Sequence, residues 1–474
     1  MFTLLTIFFL QFVNKAGSDI VCLSPTALEM REKRGIAIDS LDYAVSPLYL
    51  DSISHLGAEV LHTSRWFNGA TVEANEQTIQ SIKQCTFVDT IYLTRTDQDP
   101  SVIPPLSLRK KEVIIGERQE AKGEGLEQLV QLNLLPLHQA GYKGKGIRIG
   151  VADGGFYNAD SLESLPHDQW LGYTDLTDDK EDIFGQTGNH GSLCLTAIVA
   201  HKEISDGTLA GTFTYSGTAT EASYYLFKTE EHATESPKEI DNWVAAIEMA
   251  DSLGLHIVST SLGYTTFDQE HFNFAYADMD GRTSRGAQAS LISARKGMLL
   301  VTAMGNEGNK TWHYLSTPAD ADSILSVGAV NREGQIANFS SYGPTADGRT
   351  KPEVCAMGEG TSLINPANNT VITSNGTSFA CPLIAGMAAS LWSALPKATN
   401  MEIREMIIRS CDRYHQPHEQ YGYGIPNAWE AYTSMTTHLP STLHSTPYTK
   451  ILDNGQLYIL YNGIKYNLLG HRIK

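Results

Sequence analysis

The chain has 474 residues, 42% of them apolar and 19% charged. That length predicts two to three structural units with enough apolar residues to build a large core. Lysine and arginine number 35 against 53 aspartates and glutamates, and the net charge of −18 argues against a phosphate backbone as the main partner.

Phe2 to Val13 form an apolar run of about a dozen residues, too short to span a bilayer comfortably. It reads as the hydrophobic region of a secretory signal, with cleavage near Ala16-Gly17-Ser18 and hence a signal peptide over 1–18. The positive residues that usually precede such a region are missing, and an uncleaved anchor is the alternative.

Residues 19–105 alternate helix-like and strand-like patterns. Pro47 to Leu56 is amphipathic and ends near Gly57. Strands are predicted over 58–62, 69–73 and 88–93, with a short helix over 78–83, so this is a small α+β unit. The stretch after residue 95 is polar, with Pro104-Pro105, Lys110-Lys111 and Gly123. Its second part, 106–125, is predicted to be an exposed linker and the natural place for processing.

From 126 to 436 strands and helices alternate. Strands are predicted over 147–152, 224–227, 257–260, 298–303 and 324–330, and helices near 190–201, 239–253 and 284–296. Gly254 and Gly297 close two of the helices. The alternation predicts an α/β fold, a doubly wound parallel sheet with helices on both faces. Ligands of such sheets sit at the carboxyl ends of the strands.

Four segments carry chemistry. Asp153 ends the apolar run Ile147–Ala152 and is followed by Gly154-Gly155. His190 lies in Gly188-Asn189-His190-Gly191-Ser192, where a helix opens. Asn306 lies in Ala303-Met304-Gly305-Asn306-Glu307-Gly308. Ser378 lies in Asn375-Gly376-Thr377-Ser378-Phe379-Ala380-Cys381-Pro382, at the first turn of a long apolar helix. A serine there is exposed beside backbone N–H groups that the helix leaves unpaired. A nucleophilic serine needs a base, and the base needs an orienting carboxylate. Singly, each residue reads as a cap, a turn or a buried histidine. Order, spacing and flanking glycines make them a set.

With its order Asp, His, Ser, this set resembles the subtilisin-like serine proteases (subtilases, peptidase family S8), over about residues 125–435. The resemblance implies a secreted serine endopeptidase made as a zymogen. Asp153, His190 and Ser378 would be its triad, and Asn306 its oxyanion donor. Residues 19–105 would be a propeptide acting as chaperone and then as inhibitor; an ordinary accessory domain is the other reading. Ser261-Leu262-Gly263 would pair with the substrate backbone as an added strand, and Gly263, Ala303 and Gly305 would wall a roomy, apolar pocket for the side chain before the scissile bond. Protein or peptide substrates are implied, nucleic acid is not, and no cofactor is required for the chemistry. Structural calcium is common in the family, but no carboxylate cluster in the sequence is specific enough to name a metal site.

Two departures stand out: Gly154 replaces the usual hydroxyl residue after the aspartate, and Ser192 replaces threonine after His-Gly. They motivate the alternative of a catalytically silent binding protein on the same scaffold. Residues 437–474 read as a linker and a β-hairpin over 450–463. This tail resembles C-terminal sorting modules of type IX secretion, which would make secretion machinery a partner; a simple hairpin appendage is the other reading. Six cysteines permit disulfides in an oxidising compartment, with no pairing assignable. Cys194 and Cys381, close in sequence to His190 and Ser378, are expected near the site as buried thiols.

Overall fold

Seven strands, all but one edge strand largely buried, form the central sheet of the first unit in this computed structural model, which describes residues 6–96, 125–177, 182–185, 188–205, 212–438, 449–453, 456–461, 464–466 and 472–473. The chain divides into two compact units, Met1–Ala431 and Tyr432–Lys474.

The first unit opens with β1 (Thr6–Phe12), α1 (Pro25–Arg34), α2 (Pro47–His55), β2 (Glu59–Ser64), β3 (Gly69–Ala74), α3 (Glu76–Ile82) and β4 (Val88–Thr96). The strands make a four-stranded antiparallel sheet in the order β2-β3-β1-β4. The expected small α+β unit is present, with an additional helix, α1, capped by Ser24 at its start and by left-handed Gly35 at its end.

The signal peptide expected over 1–18 is corrected by this sheet. β1 lies between β3 and β4, and Leu10 and Phe12 are buried in the same core as Val72, Ile79 and Ile53. The domain therefore starts well before residue 19. The confusion has a physical cause. A short, uncharged apolar run looks the same whether it is bound for a membrane or for the inside of a sheet. The linker expected over 106–125 lies outside the described residues, apart from Gly125.

The larger part continues with α4 (Leu126–Gln131), α5 (Leu135–Gln139), β5 (Arg148–Asp153), β6 (Trp170–Asp175), α6 (His190–Val199), β7 (His201–Ser205), β8 (Thr212–Ser216) and β9 (Ser223–Lys228). Then come α7 (Lys238–Leu253), β10 (Ile257–Thr260), α8 (Arg285–Arg295), β11 (Leu299–Ala303), β12 (Leu325–Val330) and β13 (Val354–Met357). The hairpin β14 (Thr361–Asn365) and β15 (Thr370–Ser374) precedes α9 (Thr377–Ala394), α10 (Asn400–Arg409) and α11 (Ala428–His438). All pairs of the central sheet are parallel, in the order β13-β12-β11-β10-β5-β9-β6. Helix α6 packs with α9, and α7 with α8.

Sequence patterning found five of these strands and missed β6 and β13. β6 alternates half-buried and exposed residues at the sheet edge, so it carries no continuous apolar run. β13 spans only four residues. Helix α9 is long and apolar enough to cross a membrane, but nearly all its residues are buried, which marks a core helix.

The chain enters the sheet at β5, builds β6 and β9 on one side, then crosses to β10 on the other. The crevice at this reversal is where the sheet's own topology makes room for a ligand.

The second unit contains an antiparallel sheet of β16 (Thr449–Asp453), β17 (Gln456–Tyr461), β18 (Ile464–Tyr466) and β19 (Arg472–Ile473) in sequential order. The hairpin expected over 450–463 is its first pair.

Candidate active site

Asp153 is the last residue of β5 and is buried. His190 is the first residue of α6. Its Nδ1 lies 2.8 and 2.9 Å from the two Asp153 carboxylate oxygens, so the ring donates its Nδ1–H to the acid and leaves Nε2 as the lone-pair nitrogen. The Gly154 N–H also donates to Asp153 Oδ1, at 2.8 Å. The residue after the aspartate thus supports it through the backbone, with no side chain needed. Ser192 keeps its local bond as well, donating to the Tyr157 carbonyl at 2.8 Å.

The glycines flanking these residues are explained by close approach. A Cβ on Gly191 would sit 2.5 Å from the Gly155 carbonyl oxygen and 2.9 Å from Asp153 Cβ. A Cβ on Gly188 would sit 2.8 Å from Gly155 Cα. The two turns bearing Asp153 and His190 touch through bare backbone, and any side chain there would push acid and base apart.

Burial disfavours the charged form of His190, but the Asp153 carboxylate outweighs it and holds the imidazole well above its ordinary range. The Cys194 thiol, one turn along α6, lies 3.9 Å from His190 Nδ1 and donates to the Ser378 carbonyl at 3.3 Å. Burial pushes this thiol up, so it stays neutral and serves as a donor. The Ser261 hydroxyl donates to the same carbonyl at 2.7 Å. Cys381, three residues after Ser378 in the first turns of α9, is buried against the sheet and donates to the Val301 carbonyl at 3.2 Å. All six cysteines are free.

Ser378 sits in the first turn of α9, after Gly376 at φ +153°, a conformation that side-chain-bearing residues rarely adopt. Its neighbour Phe379 lies with its ring 5.6 Å from the His190 ring, centre to centre. The Ser378 hydroxyl is turned to the Ser261 carbonyl, a long bond of 3.3 Å. It makes no hydrogen bond to His190; the bond between a serine and its base commonly tightens only as substrate binds.

Asn306 follows the end of β11 and is aimed by Thr377. Its Oδ1 accepts from the Thr377 N–H at 2.9 Å and from the Thr377 hydroxyl at 3.0 Å. The Thr377 hydroxyl in turn accepts from the Gly305 N–H at 3.2 Å. With its oxygen held, the amide nitrogen of Asn306 faces Gly376, beside the start of the serine helix. Sequence reading passed over Thr377, although a hydroxyl next to the candidate nucleophile was its visible signal.

Of the expected substrate-binding residues, Ser261 lies against the Ser378 hydroxyl. Leu262 packs on the α7 side of the core, Gly263 is exposed, and Ala303 is buried at the end of β11. Gly305 adopts φ +109°, which bends the chain between Ala303 and Asn306.

Among the described residues one acidic cluster lies outside this site: Glu230, Glu235 and Glu239 approach within 4.8 Å of one another. Glu239 accepts from the N–H groups of Glu231 and Ser236, and Glu230 from the Tyr264 hydroxyl. These bonds tie the cluster to the turn that leads into α7, and no metal is assigned to it.

The N-terminal sheet docks on α7 and α8 through buried charges. Glu248 accepts from the Ser64 hydroxyl at 2.5 Å and from the Arg65 N–H at 2.8 Å. Asp251 accepts from Arg31 at 2.7 Å and from Arg65 at 2.6 Å. Lys296 pairs with Asp42 at 2.8 Å, and the Arg285 guanidinium stacks on Phe9.

Comparison with known proteins bears on this arrangement. Residues 144–424 match the peptidase S8 subtilase family, and residues 9–103 match the peptidase S8 propeptide domain of Bacteroidota. The second match begins inside β1. A thermostable alkaline protease of Halalkalibacterium halodurans is 26% identical over 76% of this chain and 90% of its own. Subtilisin NAT of Bacillus subtilis subsp. natto is 27% identical over 80% and 85%. The minor extracellular protease Epr of Bacillus subtilis is 28% identical over 62% and 40%.

Proposed function

Because the chain belongs to the subtilase family and is a serine-type endopeptidase carrying a propeptide domain, we propose that Asp153, His190 and Ser378 are its catalytic triad. The observation that carries this reading is the paired contact of both Asp153 oxygens with His190 Nδ1, beside a helix start that presents Ser378. His190 Nε2 takes the Ser378 proton as the hydroxyl attacks the scissile carbonyl. The same nitrogen then protonates the leaving amine. Asp153 holds the tautomer and favours the imidazolium that forms between these steps. Asn306 Nδ2 and the Ser378 N–H receive the negative charge on the carbonyl oxygen.

Substrate peptide backbone lies along Ser261–Gly263 as an added strand. The N-terminal domain acts as an intramolecular inhibitor, supported by its docking on α7 and α8. The enzyme works outside the cytoplasm, a reading supported by its acidic charge and by an extracellular relative. The C-terminal sheet would serve as the sorting tail.

Ser378→Ala tests the assignment. The purified variant should lose peptide hydrolysis and covalent labelling by a fluorophosphonate while keeping its fold. Undiminished hydrolysis would overturn it. The silent-scaffold alternative rested on Gly154 and Ser192, and both positions retain the local bond their neighbours need.

A further inference from the structure

Ser378 has a backbone carbonyl that its own helix cannot use. In an α-helix such a carbonyl accepts from the N–H four residues on. Four residues on is Pro382, inside α9, which has no N–H to give and whose ring crowds that carbonyl. A carbonyl lodged between buried side chains needs a donor. Two donors from other elements take the place of the missing one. The Ser261 hydroxyl, just past β10, reaches the Ser378 carbonyl at 2.7 Å, and the Cys194 thiol, on α6, reaches it at 3.3 Å.

The thiol's direction is set by its neighbours. Cys194 is fully buried. His190 Nδ1, 3.9 Å from the sulfur, already gives its own proton to Asp153 and so cannot accept another. The thiol hydrogen is left for the Ser378 carbonyl. A hydrogen bond therefore joins the helix that carries the base to the residue that carries the nucleophile, although His190 and Ser378 make none with each other. From the other side Ser261 grips Ser378 twice, donating to its carbonyl and accepting from its hydroxyl.

We propose that Cys194 is a positioning residue for the nucleophile: with the Ser261 hydroxyl it replaces the helix bond that Pro382 withholds, and so fixes the orientation in which Ser378 meets His190. This rests on the triad reading above. The Ser378 hydroxyl must swing from the Ser261 carbonyl to the imidazole before it attacks, and it does so from a backbone held on two sides. With one donor removed the carbonyl keeps the other. With both removed it is orphaned, and the first turn of α9 is free to shift.

A double-substitution cycle on the processed enzyme tests the proposal. Its readouts are kcat and KM on one peptide and the rate of fluorophosphonate labelling, which reports the nucleophile without a peptide. Cys194→Ala and Ser261→Ala should each lower kcat by about tenfold, near the most that one neutral hydrogen bond supplies, with KM within about twofold. Combined, they should lower kcat by more than the product of the two, beyond about 100-fold, and labelling should fall in step. Cys194→Ser gives up the sulfur's packing as the alanine does but keeps a donor, so its kcat should stay within about twofold of the parent. Cys194→Val, which fills the space without a donor, should repeat the alanine result if the smaller side chain unsettles the core. Unchanged kcat in the donorless variants, a serine variant no better than the alanine one, or a double variant equal to the product of the singles would overturn the proposal. Failure of the triad reading looks different: hydrolysis and labelling would then be indifferent to Ser378→Ala.

Discussion

Thr377 aims Asn306. Both the backbone N–H and the hydroxyl of Thr377 donate to Asn306 Oδ1, and this leaves the amide nitrogen as the only free end of that side chain. An amide held at its oxygen cannot flip to present the wrong atom to a developing anion, so the donor is preorganised.

This relationship makes a graded prediction. Asn306→Ala should lower kcat by about 10²–10³-fold, a range set by subtilisin itself, with little change in KM. Thr377→Val should lower kcat by about tenfold, because the N–H bond survives and only the hydroxyl bond is lost. Steady-state kinetics on one peptide would check both; a KM effect without a kcat effect would place these residues in binding instead.

The Asp153–His190 contact makes a prediction in pH. His190 acts as a base only above its own pKa, which the carboxylate holds well above the ordinary range of about 6.5. The rising limb of kcat/KM should therefore lie on the alkaline side of that value. Asp153→Asn removes the raising charge while burial persists, so the limb should move to lower pH as kcat falls by about 10⁴-fold. Linkage runs the same way. The folded-state pKa is raised, so the stability this pair contributes is full below the unfolded pKa and is lost as pH rises through the folded one. A rising limb that stays in place in the variant would contradict the account.

Asp251 predicts how firmly the N-terminal domain is held. It is buried and pairs with two guanidinium groups from that domain, Arg31 and Arg65. Asp251→Ala would leave both buried charges without that partner, at a cost of about 3–5 kcal/mol. Thermal unfolding of the unprocessed Ser378→Ala chain should show the loss, and the N-terminal domain should then dissociate more readily after cleavage. Unchanged melting would mean the pairs are better solvated than their burial implies.

The placement of β1 predicts that Leu10 matters for folding. Its side chain is fully buried in the N-terminal core. Leu10→Ala should destabilise that domain by about 2–5 kcal/mol. A residue of a leader removed before this domain folds would show no effect on the unprocessed Ser378→Ala chain, so denaturant unfolding of that chain separates the two views.

How much was legible beforehand varied with the distance over which each feature is encoded. The run ending at Asp153, the glycines beside His190 and the helix opening at Ser378 are local patterns, and local patterns survive in a string. The parallel sheet followed from strand–helix alternation for the same reason. The edge strand β6 did not, because its exposure breaks the apolar run that betrays a buried strand. The Phe2–Val13 run was legible as apolar but not as a strand, since its partners β3 and β4 lie far along the chain.

The sequence alone therefore determined the family, the doubly wound sheet and the residue types available for acid, base and nucleophile. Each of those depends on order and spacing within short segments. Only the tertiary structure decided that Thr377 holds Asn306, that Arg31 and Arg65 share Asp251, and that the Cys194 thiol reaches the Ser378 carbonyl. Those facts depend on which distant atoms come within 3 or 4 Å, a quantity set by packing rather than by any pattern along the chain.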